Sequence, residues 1–171
     1  MLGTLATTPA VERADLLAPP VVPLLPPGAL VAEIDAELAD TAAFCAAYVV
    51  KLEESANCVV VAGRRGEVTT LAACVALATT RVDVNGVVRR LLDARKASFA
   101  PMDVAVAETG MEYGGITPVG LPAGWPLLID SRVVGVPWVV VGSGLRRSKL
   151  VLPGASLAAL PGAQVVEGLA G

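Results

Sequence analysis

Residues 109–120 read TGMEYGGITPVG and are the most distinctive stretch of the sequence, with four glycines and one proline in twelve positions. Gly114 and Gly115 allow the backbone to adopt positive φ and to approach a ligand without obstruction by a Cβ atom. Pro118 stiffens the part that follows. Amides exposed in such a loop can hold a carbonyl oxygen or a developing oxyanion. The loop alone equally fits a tight turn without a ligand, so its surroundings must decide.

Helix and strand signals flank this loop on both sides. Pro101 stands where a first helical residue belongs and Gly110 where a helix stops, which predicts a helix between them. Asp40 and Asp83 are suited to cap two further helices, residues 63–66 (GRRG) predict a hairpin turn, and residues 154–160 a short helix. Short apolar runs predict strands at residues 58–62, 69–78, 96–100, 127–129, 138–141, 149–152 and 163–166. This irregular alternation indicates an α/β fold with a mixed sheet and helices against it.

Composition indicates one folded domain preceded by an extension. Of the 171 residues, 54% are hydrophobic and 17% charged, which supplies ample material for a core. Residues 1–32 are rich in proline, and residues 18–27 (APPVVPLLPP) are expected to be extended, either packed across the domain or mobile. The domain proper is expected over residues 33–171.

The charge-free stretches do not predict a membrane span, because prolines and glycines interrupt them. The N-terminus has no basic region followed by an apolar run, so no secretory signal is predicted. Cys45, Cys58 and Cys74 are read as small buried residues in a reducing compartment. The expected location is therefore the cytoplasm.

The sequence contains no histidine, and its three cysteines lack ligand spacing, so neither a metal nor another cofactor is expected. The commonest general base and the Ser-His-Asp triad are also excluded. Any catalysis must use carboxylates, lysine, backbone amides, water or the substrate itself.

The glycine segment resembles the TG-x-x-x-GG-x-x-P-x-G segment of the YbaK/prolyl-tRNA-synthetase-associated family. Further family features follow in order: an apolar strand ending in Asp130, the Gly-Ser-Gly turn at residues 142–144, and a basic stretch with a strand at residues 146–152. The stretch TTRVD at residues 79–83 resembles the family's approach to its central helix. The resemblance covers roughly residues 33–166.

The resemblance implies an α/β domain with a mixed, barrel-like sheet and flanking helices. It also implies hydrolysis of wrongly charged aminoacyl-tRNA, with backbone amides of the loop on the aminoacyl ester and a water, or the substrate's own groups, performing the attack. The catalytic candidates are Gly114, Gly115, Asn57 and Asp130. The substrate-binding candidates are Thr109, Gly110, Tyr113, Thr117, Pro118, Gly120, Gly142, Ser143 and Gly144.

One position departs from the family pattern. The family usually has a lysine at the start of its first core strand, and Asn57 occupies that position here. Asn57 can form hydrogen bonds but brings no positive charge. Lys51, six residues earlier, is read as a solvated surface lysine. A relative that binds aminoacyl-tRNA or a small ligand without hydrolysing it therefore stays an alternative.

The net charge of −3 does not indicate general nucleic-acid binding, so tRNA contact would need a local basic patch. Arg146, Arg147 and Lys149 are the candidate tRNA-binding residues, with the pairs at residues 64–65 and 89–90 as alternatives. The expected partners are the aminoacyl-tRNA acceptor end and a synthetase or elongation factor. DNA and membranes are not expected partners.

Overall fold

The computed structural model describes residues 2–171 and contains two β-sheets with short helices around them. The strands are β1 (Thr7–Pro9), β2 (Leu30–Glu33), β3 (Ala56–Arg65), β4 (Val68–Leu77), β5 (Lys96–Phe99), β6 (Leu127–Asp130), β7 (Val139–Gly142), β8 (Ser148–Leu152) and β9 (Ala163–Val166). The α-helices are α1 (Thr41–Tyr48), α2 (Arg89–Leu91), α3 (Met102–Thr109), α4 (Ser131–Val134) and α5 (Gly154–Leu157). A π-helical turn, Val84–Val88, leads into α2.

The first sheet has the strand order β1-β2-β8-β7 and is antiparallel throughout. The second has the order β5-β3-β4-β6-β9, antiparallel from β5 to β4 and parallel from β4 to β9. The predicted mixed α/β fold is confirmed. Over residues 2–171 the strands are divided between two sheets and do not close into one barrel.

The main core lies between the two sheets, and each sheet also buries its other face. Leu150 and Leu152 of β8 join the main core, whereas Val151 packs with Phe44 of α1 in a second cluster. Successive residues of a strand point to opposite faces, so β8 is buried on both sides. A third cluster packs Val84 and Val88 against the far face of the second sheet.

The proline-rich N-terminal segment packs onto the domain. β1 pairs with β2, which in turn pairs with β8. Leu16 and Val21 are fully buried in the main core. Residues 18–27 contain no α-helix, but a 3₁₀ turn, Val22–Leu24, interrupts the extended conformation expected there. The division of the chain at residue 32 stays a prediction.

Most predicted elements are confirmed, with shifted ends. The β3–β4 hairpin turns at residues 66–67, two residues further along the chain than the centre of the predicted turn at residues 63–66. The shift arises because β3 continues to Arg65. Asp83 caps the following turn through bonds from the amides of Gly86 and Val87. No helix in residues 2–171 has the length and hydropathy needed to cross a membrane.

Candidate functional site

A cavity of about 560 Å³ opens where the two sheets meet. An isolated bridge between Ser55 and Val140 joins the sheets at this edge. The start of α1, the start of β3, the end of β7 and part of the glycine-rich loop all contribute to its wall. The predicted site residues that line it are Asn57, Tyr113, Gly114, Gly142 and Lys149.

Gly114 and Gly115 play different parts in the loop. Gly114 has φ of +89° and lines the cavity. Gly115 does not line it: its amide donates to the carbonyl oxygen of Glu112 (2.9 Å), and its own carbonyl accepts from the amide of Gly144 (2.7 Å). A Cβ atom on Gly115 would lie 2.7 Å from the carbonyl carbon of Leu145. Gly115 therefore allows close packing of two backbone segments.

Three residues of the loop have amides that are left for a ligand. Within residues 2–171, the amides of Tyr113, Gly114 and Ile116 donate to no acceptor of the protein. All three residues line the cavity. These residues are exposed or half-buried, so water can satisfy their amides in the free protein, and an oxygen atom of a bound molecule can take the place of that water.

Arg146 holds the outer side of the loop. Its amide donates to a carboxylate oxygen of Glu112 (2.8 Å), and its guanidinium donates to the carbonyl oxygens of Tyr113 (3.1 Å) and Ala36 (3.1 Å). The guanidinium occupies the space that a side chain on Gly114 would need. Arg146 thereby ties the loop to the turn that precedes α1.

The remaining site candidates of the glycine-rich loop lie towards the two ends of the loop and stabilise them. The Thr109 hydroxyl donates to the carbonyl of Ala105 (2.7 Å), and Gly110 ends α3 with φ of +70°. Gly120 has φ of +91°, and a Cβ atom there would lie 2.5 Å from the carbonyl oxygen of Pro20. Two further candidates, Thr117 and Pro118, are buried and do not line the cavity.

In the Gly-Ser-Gly turn, only Gly142 reaches the cavity. A Cβ atom on Gly142 would lie 2.5 Å from the carbonyl oxygen of Gly115, so the loop rests directly on this strand. The hydroxyl of Ser143 is buried and lies 2.6 Å from that of Ser148. Gly144 packs against Ala18 with φ of +90°. These contacts give Ser143 and Gly144 a structural role.

Asp130 lies outside the cavity lining. Its carboxylate accepts from the amide of Arg132 (2.9 Å), from the guanidinium of Arg132 (3.1 Å) and from the amide of Ala170 (3.0 Å). Burial opposes ionisation, but these hydrogen bonds outweigh it and lower the pKa of Asp130. Asp130 thus caps α4 and fixes the C-terminal segment, and nothing in its surroundings connects it with the loop.

Asn57 lines the same cavity as Gly114, as the resemblance implies for this position. It is exposed, and its side-chain oxygen accepts a 2.5 Å hydrogen bond from the hydroxyl of Thr41. Lys51 is exposed and does not line the cavity.

The three cations predicted to contact tRNA do not form one surface patch. Arg147 is exposed, and its guanidinium donates to the carbonyl of Asp15. Arg146 is half-buried against the loop. Lys149 is only 7% exposed and lines the cavity.

Several cavity residues are not among the sequence-based candidates, chiefly Asp40, Thr41, Ser55 and Phe99. Asp40 was expected to cap α1, yet its side chain makes no capping bond. Phe99 is 61% exposed at the end of an edge strand, which is a weak signal for a binding surface.

Comparison with known proteins gives one matching family model and several similar solved structures. The family model of the aminoacyl-tRNA editing domain matches residues 35–160. A crystal structure described as that of a candidate trans-editing enzyme for prolyl-tRNA synthetase is 22% identical, with a TM-score of 0.71 over 94% of this chain and 96% of that one.

Two further solved structures are similar. A protein from work on computational grafting of linear epitopes onto scaffolds is 26% identical, with a TM-score of 0.69 over 80% of this chain and 84% of its own. The hypothetical protein APE2540 is 21% identical, with a TM-score of 0.72 over 82% and 90%. No curated protein matches the sequence.

Proposed function

Because the chain belongs to the aminoacyl-tRNA editing domain family, we propose that it hydrolyses the ester bond of wrongly charged aminoacyl-tRNA in trans. The observation that carries this proposal is that three cavity-lining residues of the loop, Tyr113, Gly114 and Ile116, have amides without an internal acceptor. The acyl group would enter the cavity, and the single-stranded end of the tRNA would remain at its mouth.

The chemistry needs few side chains. A water oxygen bonds to the acyl carbon, and the carbonyl oxygen becomes an oxyanion that accepts hydrogen bonds from the loop amides. The intermediate then breaks its bond to the ribose oxygen, which takes a proton that the attacking water gives up, so that free amino acid and tRNA are released. The amides are fixed before the reaction by the contacts of Gly115 with Glu112 and Gly144. Fixed donors require no reorganisation at the moment of reaction.

The cavity favours this mechanism over side-chain nucleophiles. Burial raises the pKa of the Cys58 thiol well above its ordinary value, so this cavity residue stays protonated at neutral pH. Ser143 is bonded to Ser148 and lies outside the lining. Thr41 and Ser55 line the cavity, but the Thr41 hydroxyl donates to Asn57, and the sequence has no histidine to activate either hydroxyl. A water or a group of the substrate is therefore the proposed nucleophile.

The partners proposed are the acceptor end of aminoacyl-tRNA and a synthetase or elongation factor that delivers it. Arg147 is an exposed cation two residues from the cavity-lining Lys149 and is proposed to contact phosphate. Replacing Arg147 with alanine should weaken tRNA binding modestly. The slope of log affinity against log salt concentration should become less steep by about one unit, which corresponds to the loss of one phosphate contact. An unchanged salt dependence would remove Arg147 from the interface.

The test is release of labelled amino acid from a panel of mischarged tRNAs by the wild type and two glycine variants. Gly114→Ala should slow hydrolysis at least tenfold, because the new Cβ atom displaces the guanidinium of Arg146 and so breaks the hydrogen bonds by which it ties the loop to Ala36. Gly124→Ala is the matched control, since Gly124 has a similar φ of +83° with nothing within 4 Å of a new Cβ atom. Equal rates for the two variants would contradict the amide mechanism.

A second candidate function is binding without hydrolysis. It is favoured by the shortage of bases: within residues 2–171, Asp40 is the only carboxylate among the cavity residues, and the sequence has no histidine. Binding of an amide-linked aminoacyl-tRNA analogue, with no turnover of any ester substrate in the panel, would support this alternative.

A further inference from the structure

We propose that the ammonium group of Lys149 binds the acyl carbonyl oxygen of the substrate and stabilises the oxyanion formed from it. This inference rests on the proposed function. It assigns the main electrostatic stabilisation of the oxyanion to a lysine on β8. The sequence analysis had grouped this lysine with surface cations that contact phosphates.

Lys149 is a buried cation at the wall of the cavity. It is 7% exposed, and it is the second residue of β8, a strand that is buried along its whole length. Its Nζ donates to the carbonyl oxygen of Ala39 (3.0 Å) and lies 5.2 Å from the ring centroid of Phe44. One neutral acceptor and one aromatic ring leave an ammonium group, which carries three donors, only partly satisfied.

No carboxylate of the described residues forms an ion pair with Lys149. Buried charges are normally paired, because desolvation without a partner is costly. Burial is the main cause that lowers the pKa of Lys149. Cys45 opposes it, the guanidinium of Arg146 lowers the pKa by less than Cys45 raises it, and Asp40 has the smallest opposing effect. A cation held in this environment gains more from an arriving negative charge than a solvated lysine does.

The position of Lys149 on β8 brings it beside the loop. Lys149 and Gly142 are direct partners in the β7–β8 ladder, so both side-chain positions lie on the same face of the sheet. The loop rests on that face at Gly142, where the carbonyl oxygen of Gly115 approaches. Gly114 and Lys149 consequently line one cavity.

This arrangement stabilises charge as it develops. When the water oxygen bonds to the acyl carbon, the electrons of the carbonyl double bond move to its oxygen. The ammonium group and the amide of Gly114 can both donate to that oxygen, and no proton needs to leave Lys149. A phosphate of the tRNA backbone is a less suitable partner, because the backbone stays at the solvent-exposed mouth while Lys149 is buried.

The test compares Lys149→Met with the wild type in two measurements on the full chain. The first is the single-turnover rate of deacylation of the mischarged tRNA that the wild type hydrolyses fastest. The second is the affinity for the same tRNA with the amino acid joined through an amide bond. Lys96→Met is the matched control, since it removes one positive charge at an exposed position outside the cavity lining.

We expect Lys149→Met to lower the rate at least a hundredfold while the affinity changes less than threefold, and Lys96→Met to change neither. A rate equal to that of the wild type would overturn the proposal. So would a loss of affinity at an unchanged rate, which would indicate a phosphate contact. A wild type that hydrolyses no mischarged tRNA would overturn the proposed function, and this inference with it.

A measurement on the wild type alone covers the case in which Lys149→Met does not fold. Two analogues of the aminoacylated terminal adenosine are compared, one with a neutral amide and one with an anionic tetrahedral phosphonate in place of the ester. The phosphonate should bind at least tenfold more tightly, because its charge imitates the oxyanion. Equal affinities would overturn the proposal.

Discussion

Asn57 and Lys149 line one cavity from two different sheets, Asn57 near the start of β3 and Lys149 near the start of β8. The family lysine implied at the position of Asn57 is absent, yet the cavity still contains an ammonium group. The two residues differ in exposure: Asn57 is open to solvent, whereas Lys149 is buried. This difference separates their expected contributions.

Substitutions of Asn57 should have modest effects. Asn57→Ala removes the acceptor of the Thr41 hydroxyl, and an exposed hydrogen bond contributes only about 0.5–1.5 kcal/mol. We expect kcat/KM for deacylation to fall less than tenfold. Asn57→Lys should increase the affinity for aminoacyl-tRNA, because a charge-assisted bond is about twice as strong.

Both variants are measured for deacylation and for thermal unfolding. Effects on the unfolding midpoint alone, with unchanged activity and affinity, would show that Asn57 only joins β3 to α1. The proposed site would then lose Asn57 but keep the loop and Lys149.

Replacement of Gly115 should destabilise the protein through backbone overlap. In Gly115→Ala the new Cβ atom would lie 2.7 Å from the carbonyl carbon of Leu145, so one of two packed segments must move. We expect a loss of about 1–3 kcal/mol in the free energy of unfolding, measured in urea. Gly135→Ala is the control, because Gly135 has φ of −76° and its nearest neighbour, the carbonyl oxygen of Arg132, is at 3.6 Å. Equal stability of the two variants would contradict this packing role.

The sequence predicts local structure well where its signals are local. Helix α3 lies between Pro101 and Gly110 as expected, and β9 has the predicted ends. β1 and β2 were not predicted because they are short and depend on pairing with distant strands. β2 pairs with β8, more than one hundred residues later in the chain.

The site was harder to predict than the fold. The hydroxyl of Ser148 donates to the carbonyl of Leu16, 132 residues away, and no local pattern reveals such a contact. Lys149 was grouped with Arg146 and Arg147 because the three are close in sequence. Arg146 and Arg147, however, lie in the turn before β8, whereas Lys149 lies within that strand, which is buried on both faces.

Asp130 should contribute to stability in a pH-dependent way and not to catalysis. Its pKa is lowered because hydrogen bonds from Arg132 and Ala170 outweigh the effect of burial. The carboxylate therefore stabilises the fold above its unfolded-state pKa of about 4, and this contribution is lost as the pH falls through the lower folded-state value. Asp130→Asn should reduce the free energy of unfolding by about 1.5–3 kcal/mol at pH 7 and by much less at pH 3.

The control for Asp130 is Asp15→Asn. Asp15 also pairs with an arginine two residues away, Arg13, but its side chain is 58% exposed, so little change in stability is expected. Urea unfolding at both pH values provides the comparison, and deacylation at pH 7 provides the functional measurement. A large loss of turnover in folded Asp130→Asn would contradict the structural role and restore Asp130 as a catalytic candidate.

The N-terminal segment should unfold together with the rest of the chain. Leu16 is 1% exposed and packs in the main core between the sheets, so Leu16→Ala should cost about 2–5 kcal/mol in the free energy of unfolding. Val11→Ala is the control from the same segment, since Val11 is 77% exposed and should change stability by less than about 0.5 kcal/mol. Both are measured by urea unfolding, where a shifted midpoint with an unchanged slope reports stability alone. If Leu16→Ala cost no more than Val11→Ala, residues 1–32 would be an appended arm, and the contacts of Gly120 and Gly144 with this segment would not contribute to holding the loop in place.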